Sequence, residues 1–139
     1  MFAVVGNLTV PDDPRPAALS GPEFFDFDVA VLGLGFHHFE NPALSAQRLV
    51  ERLRPGGVLA ILDFVTHSPH GGGHHGASHT VLHHGFSEEQ MKTIFEEAGA
   101  GTGFAFEEMG SGVVFTHGAN HESRKRRVFL ARGEKAQVA

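Results

Sequence analysis

The feature that most constrains the fold is a pair of apolar segments separated by a segment of helical periodicity. Residues 28–34 and residues 58–62 contain almost no polar side chain, which is typical of strands buried on both faces of a parallel sheet. Between them, Asn41 and Pro42 supply an N-cap and a first-turn proline for a helix. The three segments predict a right-handed βαβ unit whose second strand ends at Asp63.

The flanking segments predict further helices and strands. The first helix is expected to bury Leu44, Leu49, Val50 and Leu53, and the Arg-Pro-Gly-Gly segment at 54–57 ends it. A second helix begins at a capping box of Ser87 and Gln90 and ends at Gly99. Shorter apolar segments predict strands at residues 2–5, 104–106, 113–115 and 128–131.

Composition limits the classes of function. The 139 residues have the size of one domain and contain no cysteine, which excludes disulfides and thiolate metal sites and favours a cytoplasmic or nuclear location. No apolar segment approaches the roughly 20 residues of a membrane helix. A net charge of -5 disfavours nucleic acid as a partner. The basic run at 124–127 is predicted to be a solvated loop, with an anionic-ligand patch or a localisation signal as alternatives.

A Gly/His-rich segment, residues 66–85, links the second strand to the second helix. A loop of this length in a compact domain is typical of a lid, a binding loop or a disordered segment. Its histidines raise the alternative of metal binding, because imidazole binds zinc, nickel and copper, but glycines separate them and no cysteine accompanies them. A lid without metal is therefore the prediction, with adventitious metal binding as a further alternative, for these side chains: His67, His70, His74, His75, His79, His83 and His84.

Several short strings occur in an order that resembles a known family. They are Phe-Asp at 27–28, His-His-Phe at 37–39, Leu-Arg-Pro-Gly-Gly at 53–57 and His-Gly-Phe-Ser at 84–87. Together they resemble the middle and end of class I S-adenosylmethionine-dependent methyltransferases, most closely the ubiquinone-biosynthesis type. The resemblance implies an α/β fold: a truncated Rossmann-like sheet, mostly parallel with an antiparallel C-terminal strand, and helices on its faces.

The resemblance also implies a missing part. In this family the first strand leads into a Gly-x-Gly-x-Gly turn against the methionine part of the cofactor, and the second strand ends in an acidic residue that binds the ribose. Residues 1–139 are therefore expected to form a single domain that lacks the N-terminal cofactor-binding βαβ segment. Neither Gly33-Leu34-Gly35 nor the triglycine at 71–73 reproduces that turn, because neither opens a helix.

The resemblance implies positions for cofactor contacts. Asn7 and Leu8 fall where side chains contact the adenine, and Gly33 and Gly35 lie near the cofactor at a strand end. An amide side chain donates and accepts hydrogen bonds, as an adenine edge requires. The alternative for Asn7 is an ordinary turn residue after Gly6.

The carboxyl ends of the two long strands supply candidate catalytic and substrate-binding residues, because ligands of open α/β sheets bind there. Either His37 or His38 is the candidate general base, with His38 slightly preferred, and helix capping or the lining of a solvent cleft is the alternative. The candidate substrate contacts are Phe36, Asp63 and His67. Asp63 has two further interpretations, orientation of a histidine and the start of a turn.

These observations predict a methyltransferase domain for a small-molecule substrate, using S-adenosylmethionine, and a fragment or an inactive chain on its own. One alternative is a non-catalytic interaction module derived from a methyltransferase, and another is a His-rich metal-binding protein. Without the family's first strand, the strand at 28–34 has a bare edge, which favours a homodimer or a partner chain that covers it.

Overall fold

The computed structural model describes residues 1–66, 85–110, 113–117 and 122–137. Short 3-10 turns occupy Ala17–Leu19, Pro22–Phe24 and Phe36–His38. The helices and strands of the described residues follow one another as β1 Phe27–Gly33, α1 Pro42–Glu51, β2 Leu53–Phe64, α2 Glu88–Ala98, β3 Thr102–Glu108, β4 Val113–His117, β5 Glu122–Arg126 and β6 Val128–Glu134.

Four strands form the main sheet in the order β1-β2-β6-β3. β1 and β2 are parallel, and β6 is antiparallel to both of its neighbours, β2 and β3. Three strands therefore run in one direction and only the C-terminal strand runs in the other. This arrangement confirms the predicted α/β fold, a truncated Rossmann-like sheet that is mostly parallel with an antiparallel last strand.

Both predicted helix N-caps, Asn41 and Ser87, are present. Asn41 Oδ1 accepts from the backbone N–H of Leu44 at 3.1 Å at the start of α1. Ser87 and Gln90 make both bonds of the capping box, and Gly99 ends α2 with φ +89°, where the left-handed backbone favours glycine. Within the described part of the chain, no helix is long and apolar enough to cross a membrane.

The first helix is shorter than its apolar pattern suggests. α1 ends at Glu51, so Leu53 starts β2 instead of completing the helix face. The parallel pairing of β2 with β1 explains the change, because Leu53 is already opposite Phe27 in the ladder. The side chain of Leu53 is nevertheless buried in the same core as Val50.

Both α-helices pack against each other on one face of the sheet. Ile61 of β2 and Ala131 of β6 are direct cross-strand partners on that face. Two strand positions further along, Gly133 has no room for a Cβ against the carbonyl of Ala100 and the ring of Phe95. The helix end therefore lies directly on the sheet. The buried hydrophobic cluster consists of Phe36, Ala46, Val50, Leu53, Leu59, Ile61, Phe86, Met91, Phe95, Ala100, Phe129 and Ala131.

The opposite face of the sheet carries apolar side chains that stay accessible. Val29 and Val31 of the edge strand β1 are 52% and 70% exposed, and their partners Val58 and Ala60 of β2 are half-buried. Among the described residues, no strand pairs with the outer edge of β1. The described chain thus has a one-sided core and an open apolar edge.

The predicted strand at residues 2–5 is wrong. This segment is extended coil, with the side chain of Phe2 73% exposed and its ring 6.5 Å from that of Phe24. A short apolar segment forms a strand only where a neighbour satisfies its backbone. The following chain is instead held at the end of α1, where Arg52 Nη1 donates to the carbonyls of Leu19 and Phe24 at 2.7 and 3.2 Å.

The basic run was predicted to be a loop, and this is also wrong. β4 and β5 form an antiparallel hairpin in which Val113 is opposite Arg126, so residues 124–126 lie in β5. The hairpin satisfies the backbone of the run, which its charges alone did not indicate. Arg127 links β5 to β6, and its carbonyl accepts from the N–H of Val65 at 2.9 Å.

Candidate active site

The carboxyl ends of β1 and β2 meet at one edge of the sheet. The N–H of Leu34, the residue after β1, donates to the carbonyl of Leu62 in β2 at 2.8 Å, which extends the parallel ladder one residue beyond Gly33. The chain then forms the 3-10 turn Phe36–His38, and Asp63 is the next-to-last residue of β2. Two of the predicted site positions, His37 and Asp63, are brought together at this point.

A fully buried carboxylate holds one of the two histidines. Asp63 Oδ2 accepts from the backbone N–H of His37 at 3.0 Å, and Asp63 Oδ1 lies 2.8 Å from His37 Nδ1. The backbone N–H of Phe64 also donates to Oδ1, at 2.7 Å. The side chain of Asp63 is 0% exposed and that of His37 is 8% exposed. The carboxylate is thus satisfied by three donors, as a buried charge requires.

This geometry defines the chemistry of His37. A carboxylate accepts but does not donate, so the hydrogen-bond network assigns the ring proton to Nδ1. Nε2 of a neutral ring then carries the lone pair that accepts a proton. An imidazole whose Nδ1 is held by a carboxylate is the arrangement of a general base with an orienting partner.

His38 lies beside this pair but has a different environment. Its ring centroid is 4.2 Å from that of His37, and its side chain is exposed. The sequence slightly favoured His38 as the base, whereas the carboxylate partner belongs to His37. Backbone geometry decides between them, because a 3-10 turn points successive side chains in different directions.

Phe36 supports the histidines from the core side. It is 0% exposed, its ring centroid is 5.1 Å from that of Phe86, and it meets Phe39 edge-on at 6.2 Å. A side chain with no exposed surface offers nothing for a ligand to contact in this conformation. Its described role is to fix the 3-10 turn that carries His37 and His38.

Open space lies next to the backbone that follows β1. A Cβ built on Gly33 would meet no atom of the described residues within 4 Å, and one on Gly35 would meet only ordinary contacts, the nearest being Leu32 Cδ2 at 3.8 Å. Leu34, between them, has φ +56°, a left-handed conformation that is rare for a leucine. Packing of the described residues therefore does not require glycine at Gly33 or Gly35.

The predicted adenine contacts have a local structural role. Asn7 is exposed, and its Oδ1 accepts from both the N–H and the Oγ1 hydroxyl of Thr9, at 2.8 and 2.6 Å. These are the bonds of a side-chain-stabilised turn, the alternative that the sequence left open for Asn7. Leu8 is half-buried beside it.

His67 and the other histidines of residues 67–84 lie outside the described residues. In the described ranges, no group of three or more His, Cys, Asp or Glu side chains is arranged to hold a metal ion. The pair of His37 and Asp63 provides two such side chains, one fewer than that minimum.

Sequence reasoning missed Phe64, a neighbour of this pair, and Arg126, which contacts the ring of Phe64. The ring of Phe64 lies 5.2 Å from that of His37, and the guanidinium of Arg126 lies 4.2 Å from the centroid of the Phe64 ring. Arginine over an aromatic face is an attractive arrangement. The basic run before the last strand was the one sequence feature that pointed to Arg126. Because the run was assigned to a loop, its contact with Phe64 was not predicted.

Comparisons with known proteins agree on the fold. No family model matches the chain, and no curated protein sequence matches it. Solved structures do match: a complex between the Haloferax volcanii Trm112 methyltransferase activator and a methyltransferase has a TM-score of 0.60 at 15% identity. Haemonchus contortus phosphoethanolamine N-methyltransferase 2 has a TM-score of 0.59 at 14% identity, and a Burkholderia thailandensis O-methyltransferase family protein has 0.53 at 17%.

The three matches cover 82%, 80% and 96% of this chain but only 57%, 34% and 35% of the matched chains. By these coverages, the chain spans about a third to a little over half of the length of these solved structures. The fold of its described residues is that of the class I methyltransferases.

The described residues do not by themselves fit S-adenosylmethionine. The methyltransferase resemblance places the methionine and ribose contacts on strands that precede the equivalent of β1, and the described residues before β1 contain no strand. Asn7 Oδ1, the acceptor expected at the adenine, is already bonded to Thr9. The described residues offer only one side of a site, the backbone at Gly33 and Gly35, against which no other described residue packs tightly.

Proposed function

We propose that this chain is the acceptor-side part of a small-molecule methyltransferase, with His37 as its general base and Asp63 as the residue that positions it. The observation that carries the proposal is the buried carboxylate bonded to both the backbone and the ring of His37, at the strand ends where the fold binds its ligands. This choice replaces His38, the side chain favoured by the sequence.

His37 would act on the proton of the methyl acceptor. S-adenosylmethionine, when bound, is the methyl donor of this class of enzyme. A hydroxyl or amine acceptor loses a proton, and Nε2 of His37 is the nitrogen left to receive it. Asp63 holds the ring in that tautomer and stabilises the positive charge that the ring gains, as a buried carboxylate does in other Asp-His pairs.

The 139 residues alone are proposed to lack measurable methyl transfer, because their described part lacks the methionine and ribose contacts. The lack of these contacts in the described residues also favours a second candidate, a non-catalytic interaction module. The two candidate functions differ in what they require of His37. An interaction module needs no general base, so substitution of His37 would leave its binding to a partner intact. A His-rich metal-binding role depends on residues 67–84, outside the described residues.

A second copy of the chain is the proposed cover for the edge of β1. The N–H of Leu34, the residue after β1, donates to Leu62 of β2, and every second residue before it is oriented the same way, so the backbone groups of Val29 and Val31 point to the free edge. Antiparallel pairing of two copies about Ala30 would place Val29 of one copy opposite Val31 of the other. Both valines, now more than half exposed, would then be partly covered.

The catalytic proposal is tested by methyl transfer from radiolabelled S-adenosylmethionine in the natural polypeptide or assembly that contains the chain and turns over. Asp63→Asn replaces one carboxylate oxygen by an NH₂ group. This donor then faces either the ring N–H or the backbone N–H of His37, where the native oxygen accepted a hydrogen bond. We expect kcat to fall by about 100-fold or more with KM little changed, since a base contributes about 10²–10⁴-fold. Asp28→Asn, on exposed β1, is the matched control and should keep kcat. Equal kcat in the two variants would refute the proposal.

A further inference from the structure

Leu34, the residue that follows β1, has a backbone conformation that disfavours its own side chain. Its φ is +56°, and the only other non-glycine residue with a positive φ in the described part of the chain is Asp26, which precedes β1. The left-handed conformation brings the Cβ of an L-residue close to the following carbonyl oxygen and disfavours it on the order of tenfold. Such strain is concentrated at ligand sites and active sites, where the surrounding structure maintains it.

The left-handed turn at Leu34 helps to bring His37 to its carboxylate. The N–H of Leu34 donates to the Leu62 carbonyl at 2.8 Å, so Leu34 is opposite Asp63 when the parallel register is continued. Three residues later, the N–H of His37 donates to the carboxylate of Asp63 at 3.0 Å. The chain thus reverses between Leu34 and His37, and both residues flank Asp63. Glycine adopts a positive φ without strain, so the turn does not itself require a leucine.

The same conformation turns the Leu34 side chain away from the core. In an extended strand, alternation would place it on the face of Ala30 and Leu32, which pack against the buried cluster. Relative to the parallel-strand φ of about −120°, the positive φ rotates the Cβ about the N–Cα bond by roughly 180°. Leu34 is 39% exposed and is not among the described hydrophobic residues that pack against the cluster. Packing of the described residues therefore does not explain the leucine.

A second apolar side chain lies at the neighbouring strand end. Phe64 follows the buried Asp63, so strand alternation places its side chain on the open face of the sheet. Its ring centroid is 5.2 Å from that of His37. Leu34 and Phe64 therefore place apolar surface at the carboxyl ends of β1 and β2, next to the Asp63–His37 pair.

We propose that the Leu34 side chain contacts the methyl acceptor and selects acceptors with an apolar group, such as an aromatic ring, beside the reacting hydroxyl or amine. The identity of this ligand as a methyl acceptor rests on the proposed function of His37. The contact accounts for a leucine at a position where glycine would form the turn with less strain. A difference of one methylene in an apolar contact changes kcat/KM by about 10–200-fold, so the loss of a whole side chain is measurable.

The role of the side chain in folding is tested on the 139-residue chain by urea unfolding of Leu34→Gly. Glycine removes the strain of the positive φ but makes the unfolded chain more flexible, and these two effects oppose each other. We expect the unfolding equilibrium constant to stay within about tenfold of the native value. Loss of a core leucine side chain raises it by about 30-fold or more. An increase beyond tenfold would therefore show that packing holds Leu34, and it would overturn the proposal.

The contact itself is tested by methyl-transfer kinetics in the natural polypeptide or assembly that turns over, with the acceptor and S-adenosylmethionine varied separately. We expect Leu34→Gly to raise the KM for the acceptor about tenfold or more with kcat little changed, because the lost contact serves binding and not the chemical step. Leu34→Met should raise that KM less, since its side chain is apolar and of similar volume.

Asp26→Gly is the matched control, because Asp26 also has a positive φ, +58°, but lies at the other end of β1. An unchanged acceptor KM in Leu34→Gly, an equal rise in Asp26→Gly, or a rise in the KM for S-adenosylmethionine in place of the acceptor would overturn the proposal. A lower kcat at an unchanged KM would also overturn it, since Leu34 would then act only through His37. Failure of the proposed function is distinguishable, because His37→Gln would then keep its kcat whatever the effect of Leu34→Gly.

Discussion

Removing the buried carboxylate gives the most stringent test of the account on the chain itself. Asp63→Ala leaves the backbone N–H groups of His37 and Phe64 without their acceptor, while the His37 ring can change tautomer and avoid the same penalty. Each buried donor without a partner costs about 1–3 kcal/mol, so the free energy of unfolding should fall by about 2–6 kcal/mol. This is a large fraction of the roughly 5–15 kcal/mol that stabilises a typical domain.

Asp28→Ala is the matched control for this variant. Asp28 lies on the neighbouring strand, is 80% exposed and pairs with Arg54, an ion pair of a kind that contributes at most about 1 kcal/mol. Urea unfolding followed by far-ultraviolet circular dichroism is the assay, since the chain has no Trp or Tyr for fluorescence. If Asp63→Ala does not fold, Asp63→Asn keeps one acceptor and should lose less stability. An Asp63→Ala variant as stable as Asp28→Ala would refute the reasoning.

Two further predictions concern the edge and the surface. Val31→Arg should convert the proposed dimer to a monomer in sedimentation velocity, whereas Val114→Arg on β4, at a valine that is also more than half exposed, should not; an unchanged dimer in Val31→Arg would exclude the β1 edge as the interface. The Arg127 bond lowers the pKa of Glu108, so its stabilising contribution is full above the unfolded pKa and is lost as the pH falls through the folded one. The stability difference between the native chain and Glu108→Gln should therefore shrink on acidification in urea melts, and a constant difference would contradict it.

The sequence predicted those parts of the fold that depend on local pattern. The N-cap at Asn41, the capping box at Ser87 and the stop at Gly99 act through neighbours in the chain, so a single sequence contains the information. The two apolar strands likewise follow from composition. The error at residues 2–5 arose because an apolar segment forms a strand only with a partner, and the partner depends on tertiary structure.

The sequence placed the candidate residues of the site together but did not decide between the alternative roles it gave them. His37, His38 and Asp63 were placed at the same strand ends, but which histidine meets the carboxylate depends on the turn Phe36–His38, whose geometry no periodicity encodes. Arg126 was missed for a similar reason, because its position beside Phe64 results from a hairpin between distant residues.

The most direct test of the central claim compares the two histidines in the natural polypeptide or assembly that transfers methyl groups from S-adenosylmethionine. The account predicts that His37→Gln lowers kcat by about 10²–10⁴-fold, the contribution of a general base, while His38→Gln lowers it by less than about tenfold. Circular dichroism should show both variants folded. A larger loss of kcat in His38→Gln than in His37→Gln, or full activity in His37→Gln, would contradict the assignment of the Asp63–His37 pair as the catalytic base.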